Sequence, residues 1–326
     1  IITVRAPAIE AQLVETFLLL IFNHQSLVAT KTNRIVRAAE GRVILEFGSR
    51  RAQGTDAAIS GARAAYIGGC AGTACTISDQ LFGVPAGGTM AHAWVQMFDT
   101  EYDAFKTYCE VFPTNATLLV DTYNTLKSGV PNAIKAFNEV LRPKGITKCA
   151  IRLDSGDIAY LTREARQMLD EAGWESCKIS ASNSLDEYII QDILRQGAKV
   201  DLFGVGERMI TSKSDPVFGG VYKLAAIEKE DGTIVPKIKI SENVGKITNP
   251  HFKKVYRIFD KATGKAEADY IALWDEVMDE SKPMELFDPA ATWKRRVYEN
   301  YTIKPLQKQI FAGGKLVYDR PELKEI

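Results

Sequence analysis

Several short segments of the sequence place charged or glycine residues where chains leave apolar strands, and those residues could bind and activate a phosphorylated substrate. In Glu46-Phe47-Gly48-Ser49-Arg50-Arg51 two arginines follow a strand and precede an Ala-rich helix. Guanidinium forks match the oxygens of phosphates and carboxylates. At a helix N-terminus they oppose the macrodipole, a cost that a bound anion would offset. Phe47 beside them offers a flat apolar face to an aromatic ring, and equally suits a core. Arg152-Leu153-Asp154-Ser155-Gly156-Asp157 gathers one cation and two carboxylates that could hold ribose hydroxyls or a magnesium ion. The same stretch also reads as a capped helix start, with Ser155 or Asp157 as the cap. Phe203-Gly204-Val205-Gly206-Glu207-Arg208 follows a strand; its glycines admit either a phosphate or a close packing contact. His92 follows the glycine-rich approach Gly87-Gly88-Thr89.

These segments need a scaffold, and the hydrophobic pattern supplies one. Four apolar strands, Leu118-Leu119-Val120, Cys149-Ala150-Ile151, Lys178-Ile179-Ser180 and Asp201-Leu202-Phe203, are separated by helical patterns at residues 133–141, 159–172 and 185–196. That alternation predicts parallel strands with helical crossovers. Their exits are polar or glycine-rich: Asp121-Thr122, Arg152 to Asp157, Ser182-Asn183-Ser184 and Gly204-Val205-Gly206. In α/β barrels the site is built at that end of the strands. Before them, residues 9–39 have helical periodicity that stops at Gly41, residues 43–47 read as a strand, and residues 53–67 as a helix. After about residue 215 the pattern turns to hairpins: residues 221–227 and 234–240 around Asp231-Gly232, and 255–259 and 268–273 around Thr263-Gly264.

Composition narrows the class. The 326 residues are 46% hydrophobic and 25% charged, and Lys+Arg and Asp+Glu both number 41, so no basic excess points to nucleic acid. Five scattered cysteines and three histidines lack zinc-ligand spacing and read as reduced thiols of a cytoplasmic protein. The apolar run at residues 17–22 is too short for a membrane span, and no signal-peptide succession precedes it. The chain opens on the β-type run Ile1-Ile2-Thr3-Val4 without an initiator Met, which reads as a chain lacking an N-terminal portion.

Together, Phe-Gly-Ser-Arg-Arg (47–51), Gly-Thr-Met-Ala-His (88–92), Arg-Leu-Asp-Ser-Gly-Asp (152–157), Phe-Gly-Val-Gly-Glu-Arg (203–208), Thr211-Ser212 and Val221-Tyr222-Lys223-Leu224 resemble the nicotinate phosphoribosyltransferases in order and approximate spacing. The resemblance implies an irregular α/β barrel over residues 41–215. It implies an α/β sandwich domain fed by residues 1–40 and by the β-rich segment 216–326. It further implies transfer of a phosphoribosyl group from 5-phosphoribosyl 1-pyrophosphate to nicotinate, with ATP as co-substrate, magnesium as cofactor and a homodimer in the full-length protein. Under it, His92 is the residue that ATP phosphorylates and Phe47 stacks on the pyridine ring. Arg50 and Arg152, with Arg51 nearby, meet the nicotinate carboxylate and the phosphates. Asp121 and Asp154 face ribose, pyrophosphate or magnesium, and the Gly204–Gly206 backbone holds the 5-phosphate; Asn183 and Lys223 join the substrate-binding set. Nicotinamide-specific relatives carry an Asp after the Gly-Thr that here is Gly72-Thr73. This chain has Ala74, which favours a carboxylate-bearing base. The alternatives are a nicotinamide transferase and a non-catalytic fragment.

Overall fold

The computed structural model describes residues 2–242 and 247–326, and the chain divides into two compact units. One consists of residues 20–220 and 321–326, the other of residues 1–19 and 221–320.

The larger unit is built on parallel strands. Helix α1 (Ala8–Ala38), of which residues 20–38 belong to this unit, is followed by β1 (Val43–Glu46), α2 (Thr55–Ile67), β2 (Gly72–Thr73), α3 (Thr76–Phe82), α4 (His92–Gln96), α5 (Glu101–Val111) and β3 (Thr117–Leu119). Then come α6 (Val130–Ala136), β4 (Ala150–Leu153), α7 (Ile158–Glu171), β5 (Lys178–Ser182), α8 (Glu187–Arg195), β6 (Leu202–Val205) and the single turn α9 (Glu207–Ile210). The strands form one six-stranded sheet in the order β2-β1-β6-β5-β4-β3, every pair parallel. Among the described residues no ladder joins β2 to β3. The four strands expected from their apolar bodies are all present, and so is the strand at residues 43–47.

Strand interiors are shielded on both faces, as a sheet covered by crossover helices requires. Leu118, Leu119, Ile151, Leu153 and Ile179 pack with Phe105, Phe137 and Leu169 of the helices in one core cluster. Ile44, Ala181, Phe203 and Val205 pack with Val28 and Ile35 of α1 and Ile190 of α8 in a second. Side-chain caps fix where helices begin. The Asp157 carboxylate accepts the Tyr160 amide at 3.0 Å, so the cap of α7 is Asp157 and not Ser155. Asp186 accepts the amides of Tyr188 and Ile189 at the start of α8. The helix expected at residues 133–141 is α6 flanked by π-helical turns, Thr125–Gly129 and Phe137–Leu141. Gly129 there packs so closely on the Val120 carbonyl that a Cβ would lie 1.8 Å from its oxygen.

Helix α1 is long and apolar enough to cross a membrane by length and composition. The apolar run at residues 17–22, weighed alone, understated it. Residues 28–38 of the same helix bury Val28, Lys31 and Ile35, and Lys31 donates to the buried Glu187 at 3.0 Å.

The smaller unit is antiparallel. It contains the hairpin β7 (Ala226–Glu228) and β8 (Ile234–Pro236), and a three-stranded sheet with β9 (Lys253–Asp260) between β10 (Ala266–Leu273) and β13 (Tyr301–Pro305). It also holds the pair β11 (Met284–Asp288) and β12 (Ala291–Tyr298), and the short pair β14 (Phe311–Ala312) and β15 (Lys315–Leu316). Gly232 and Gly264 take φ values of 81° and 67° in the two expected turns. Residues 2–4 were expected in a strand but pair with no ladder; the Thr3 hydroxyl instead accepts the Gln307 side-chain amide at 2.9 Å. Ile1 lies outside the described residues.

Candidate active site at the strand exits

Because all six strands run the same way, their C-terminal ends share one edge, and the polar exits meet there. Asp121 follows β3. Its Oδ2 accepts the Asp154 amide at 2.8 Å and the Ser155 hydroxyl at 2.6 Å. Its Oδ1 is buried and has no hydrogen-bond partner. Asp154, at the exit of β4, is held through Oδ1 by the Ser182 hydroxyl from the end of β5. His92 opens α4 and turns its ring into this pair. Nδ1 lies 3.0 Å from the Thr122 hydroxyl, and Nε2 lies 3.9 Å from Asp121 Oδ1 and 3.8 Å from Asp154 Oδ2. Three residues far apart in sequence thus converge. Thr122 and Ser182, which help orient them, were visible only as polar strand exits without a role, and Ser155 only as a candidate helix cap.

Arg152 belongs to β4 itself. Its Nη1 donates to the Thr89 hydroxyl on the glycine-rich approach to His92, and its Nε is buried without a partner. Burial disfavours its charge and lowers its pKa, while Asp154 and Asp121 act to raise it and Arg50 acts to lower it. Arg50 is exposed and within electrostatic reach of Arg152, whereas Arg51 turns away to Glu207 at 3.7 Å. The two arginines occupy a 3-10 turn of their own, Ser49–Arg51, and α2 starts only at Thr55. Gly54, at φ 105°, separates them. The arginines therefore do not belong to the first turn of α2, where the conflict with its dipole was expected.

The glycines of the β6 exit allow a close approach of Phe47. Gly204 lies within β6, and a Cβ there would come 2.4 Å from two ring carbons of Phe47. One on Gly206 would come 2.9 Å from the Phe47 carbonyl oxygen. Phe47 therefore packs one side of its ring closely against the β6 backbone. Gly204→Ala is expected to push the ring aside and cost about 1–3 kcal/mol of stability, the usual range for overpacking. Thermal denaturation checks the stability, and a structure of the variant checks the ring; an unshifted ring would refute the packing role.

Asn183 and Ser184 follow β5 with φ of 82° and 51°. Two consecutive non-glycine residues in the left-handed region mark local strain. They border a cavity of about 230 Å³ with Asp154, Ser155, Ser182 and Leu185, which Asp121 and His92 do not line. Thr73 ends β2 and Ala74 follows it, exposed. Lys223 belongs to the smaller unit, where its ammonium donates to the Tyr222 carbonyl.

The carboxylates suit a hard cation in donor type: Asp121 Oδ1 is an orphaned buried acceptor, and Asp154 Oδ2 faces His92 beside it. Among the described residues no group of three or more His, Cys, Asp and Glu forms a closed metal cage. The set fits magnesium, which commonly takes one or two carboxylates and completes its shell with water and substrate phosphates.

Comparison with known proteins gives a consistent result. The family described as "Nicotinate phosphoribosyltransferase C-terminal domain" matches residues 252–326. Over all of this chain and 66% of the relative, the sequence is 48% identical to nicotinate phosphoribosyltransferase of Bacillus subtilis (strain 168). The Caenorhabditis elegans enzyme of the same name is 31% identical, with all of this chain and 67% of the relative covered. The crystal structure of human nicotinic acid phosphoribosyltransferase superposes with a TM-score of 0.82 at 26% identity, covering 98% of this chain and 70% of that one. The chain spans about two thirds of the length of these two curated relatives, 66% and 67%.

Proposed function

The chain belongs to the nicotinate phosphoribosyltransferase family, and from that premise we propose that its strand-exit cluster joins nicotinate to 5-phosphoribosyl 1-pyrophosphate, coupled to hydrolysis of ATP. The observation that carries the reading is the convergence of His92, Asp121, Asp154 and Arg152 on one edge of the parallel sheet.

The chemistry asks for those groups. The pyridine nitrogen donates its lone pair to ribose C1 as the C1–oxygen bond to pyrophosphate breaks, and that electron pair leaves with the pyrophosphate. Positive charge builds on the ribose, as in glycoside cleavage. A pyridine nitrogen carries no proton to remove, so no general base is needed. The protein has to align two substrates and stabilise the departing charge. Arg152, held by Thr89 and with a free Nε, is preorganised for a phosphate oxygen. Arg50 supplies a second guanidinium for the nicotinate carboxylate or a phosphate, and Phe47 supplies an apolar ring face. Asp154, anchored by Ser182, presents Oδ2 for ribose hydroxyls. Asp121 and Asp154 would hold magnesium, which when bound offsets phosphate charge. His92, with Nδ1 engaged by Thr122, keeps Nε2 free to accept a phosphoryl group from ATP. A homodimer and a cytoplasmic setting accompany this reading.

The test is turnover: kcat/KM with nicotinate and with nicotinamide, each with the sugar donor and ATP, with the mononucleotide product measured. The expected result is a clear preference for nicotinate; equal values would refute it. Ala74→Asp adds a carboxylate at the exposed exit of β2, and is expected to lower nicotinate kcat/KM about tenfold or more by like-charge repulsion.

A further inference from the structure

A buried carboxylate borders the Phe47–Arg51 turn and has no part in the proposed reaction. Glu46 ends β1, immediately before Phe47, and is fully buried. Its Oε2 accepts the Thr73 hydroxyl at 2.6 Å, and its Oε1 accepts the Gly48 amide. Thr73 Oγ1 in turn accepts the Cys75 amide at 2.9 Å. The main chain repeats the tie: the Ala74 amide donates to the Glu46 carbonyl at 2.9 Å, and the Phe47 amide donates to the Val205 carbonyl at 2.8 Å. One carboxylate thus joins the turn that carries Phe47 and Arg50 to the segment that carries Ala74. The contact leaves no slack, since a Cβ on Gly48 would lie 2.8 Å from Glu46 Oε1 and 2.7 Å from Ile210.

Stability alone does not explain a carboxylate here. Burial pushes the Glu46 carboxyl up, against the Thr73 hydroxyl and the Gly48 amide that pull it down, and no cation contributes. Taking an ionised carboxylate out of water without a counter-ion is costly. What the carboxylate offers is two acceptors on one rigid plane. Glutamine offers one acceptor and one donor. With glutamine, Thr73 Oγ1 would accept from both the side-chain amide and the Cys75 amide, and its own proton would lose its partner.

We propose that Glu46 is a positioning residue for the base: its carboxylate clamps the Phe47–Arg50 turn to the Thr73–Cys75 segment and so sets the spacing between the ring face of Phe47, the Arg50 guanidinium and Ala74. The proposal rests on the nicotinate reading above. Glu46 touches no substrate and acts through Phe47, Arg50 and Ala74.

The test compares Glu46→Gln, Glu46→Ala and Thr73→Val with the wild-type protein, with KM for nicotinate, KM for the sugar donor, kcat and Tm as readouts. Loss of a charge-assisted hydrogen bond is expected to raise the nicotinate KM about tenfold or more in Glu46→Ala, and less in Glu46→Gln. The donor KM is expected to change much less than the nicotinate KM, because the His92–Asp121–Asp154 cluster lies on other elements, at the start of α4 and the exits of β3 and β4. Tm of Glu46→Gln is expected to equal or exceed wild type. The double variant Glu46→Gln/Thr73→Val should show about the effect of the stronger single variant, since both break one contact. A merely structural role would lower Tm and degrade both substrates together, and that result overturns the proposal. So does an unchanged nicotinate KM in Glu46→Gln and Thr73→Val, the pair that decides the matter should Glu46→Ala fail to fold. Wild-type protein that neither turns over nicotinate nor binds it in calorimetry refutes the functional reading itself. Wild-type turnover with unaltered variants refutes only the role of Glu46.

Discussion

Arg152→Met is expected to lower kcat/KM for the phosphoribosyl donor about a hundred- to thousandfold while leaving Tm unchanged or higher. The first half follows from preorganisation. Arg152 is anchored at Nη1 by Thr89 and keeps a buried Nε with no partner. Such a donor loses little water and reorganises little when charge develops on a leaving group, and deleting one donor of that kind typically costs about two to three orders of magnitude in rate. The second half follows from electrostatics. Burial is the largest influence on this guanidinium and works against its charge, ahead of the attraction of Asp154 and Asp121. A cation held where the fold disfavours it is a cost to stability, and an apolar side chain of similar length removes that cost. Arg152→Lys sharpens the test. It keeps the charge but not the planar fork, so activity should be restored only in part. Steady-state kinetics and thermal denaturation of both variants check this. Arg152→Met within tenfold of wild type, or a fall in Tm that tracks the loss of activity, would show that Arg152 is structural.

His92→Ala is expected to abolish ATP hydrolysis, and to raise KM for the sugar donor while slow ATP-independent synthesis survives. The ring is oriented from one side by Thr122 at Nδ1 and presents Nε2 to two carboxylates at 3.9 and 3.8 Å. A phosphoryl group on Nε2 would bring about two negative charges next to Asp121 and Asp154, and a divalent cation would relieve that repulsion. Chelation of magnesium should therefore suppress phosphorylation in the wild type as thoroughly as the substitution does. Labelled ATP, with acid-labile phosphoprotein as the readout, checks both arms. ATP hydrolysis that persists in His92→Ala in step with product formation would reduce His92 to a hydrogen-bonded structural residue. Thr122→Val should weaken phosphorylation without abolishing it, because the ring would lose its orientation and not its nucleophile.

Local pattern determined much of this protein. The apolar bodies of β3, β4, β5 and β6 and the periodic helices between them are written in consecutive residues, so strand existence, parallel alternation and the polar character of the exits could be read directly. The same holds for the hairpin turns at Gly232 and Gly264, whose positive φ values only glycine adopts readily. The family motifs contained His92, Arg152 and Asp154, and Asp121 was legible as a strand exit. What linear order could not supply was who touches whom. That Thr122, Ser155 and Ser182 orient the cluster depends on sheet order, since residues 28 to 34 apart meet only when β3, β4 and β5 lie side by side. The Gly-Val-Gly motif had two local meanings, a phosphate site and a close packing contact, and that the contact is with the ring of Phe47, 157 positions away at Gly204, came only from the pairing of β1 with β6. Glu46 was unremarkable in sequence, one acidic residue at a strand end. Its significance comes from burial and from Thr73, 27 positions away, and burial is a property of the assembled sheet that no window of neighbouring residues contains.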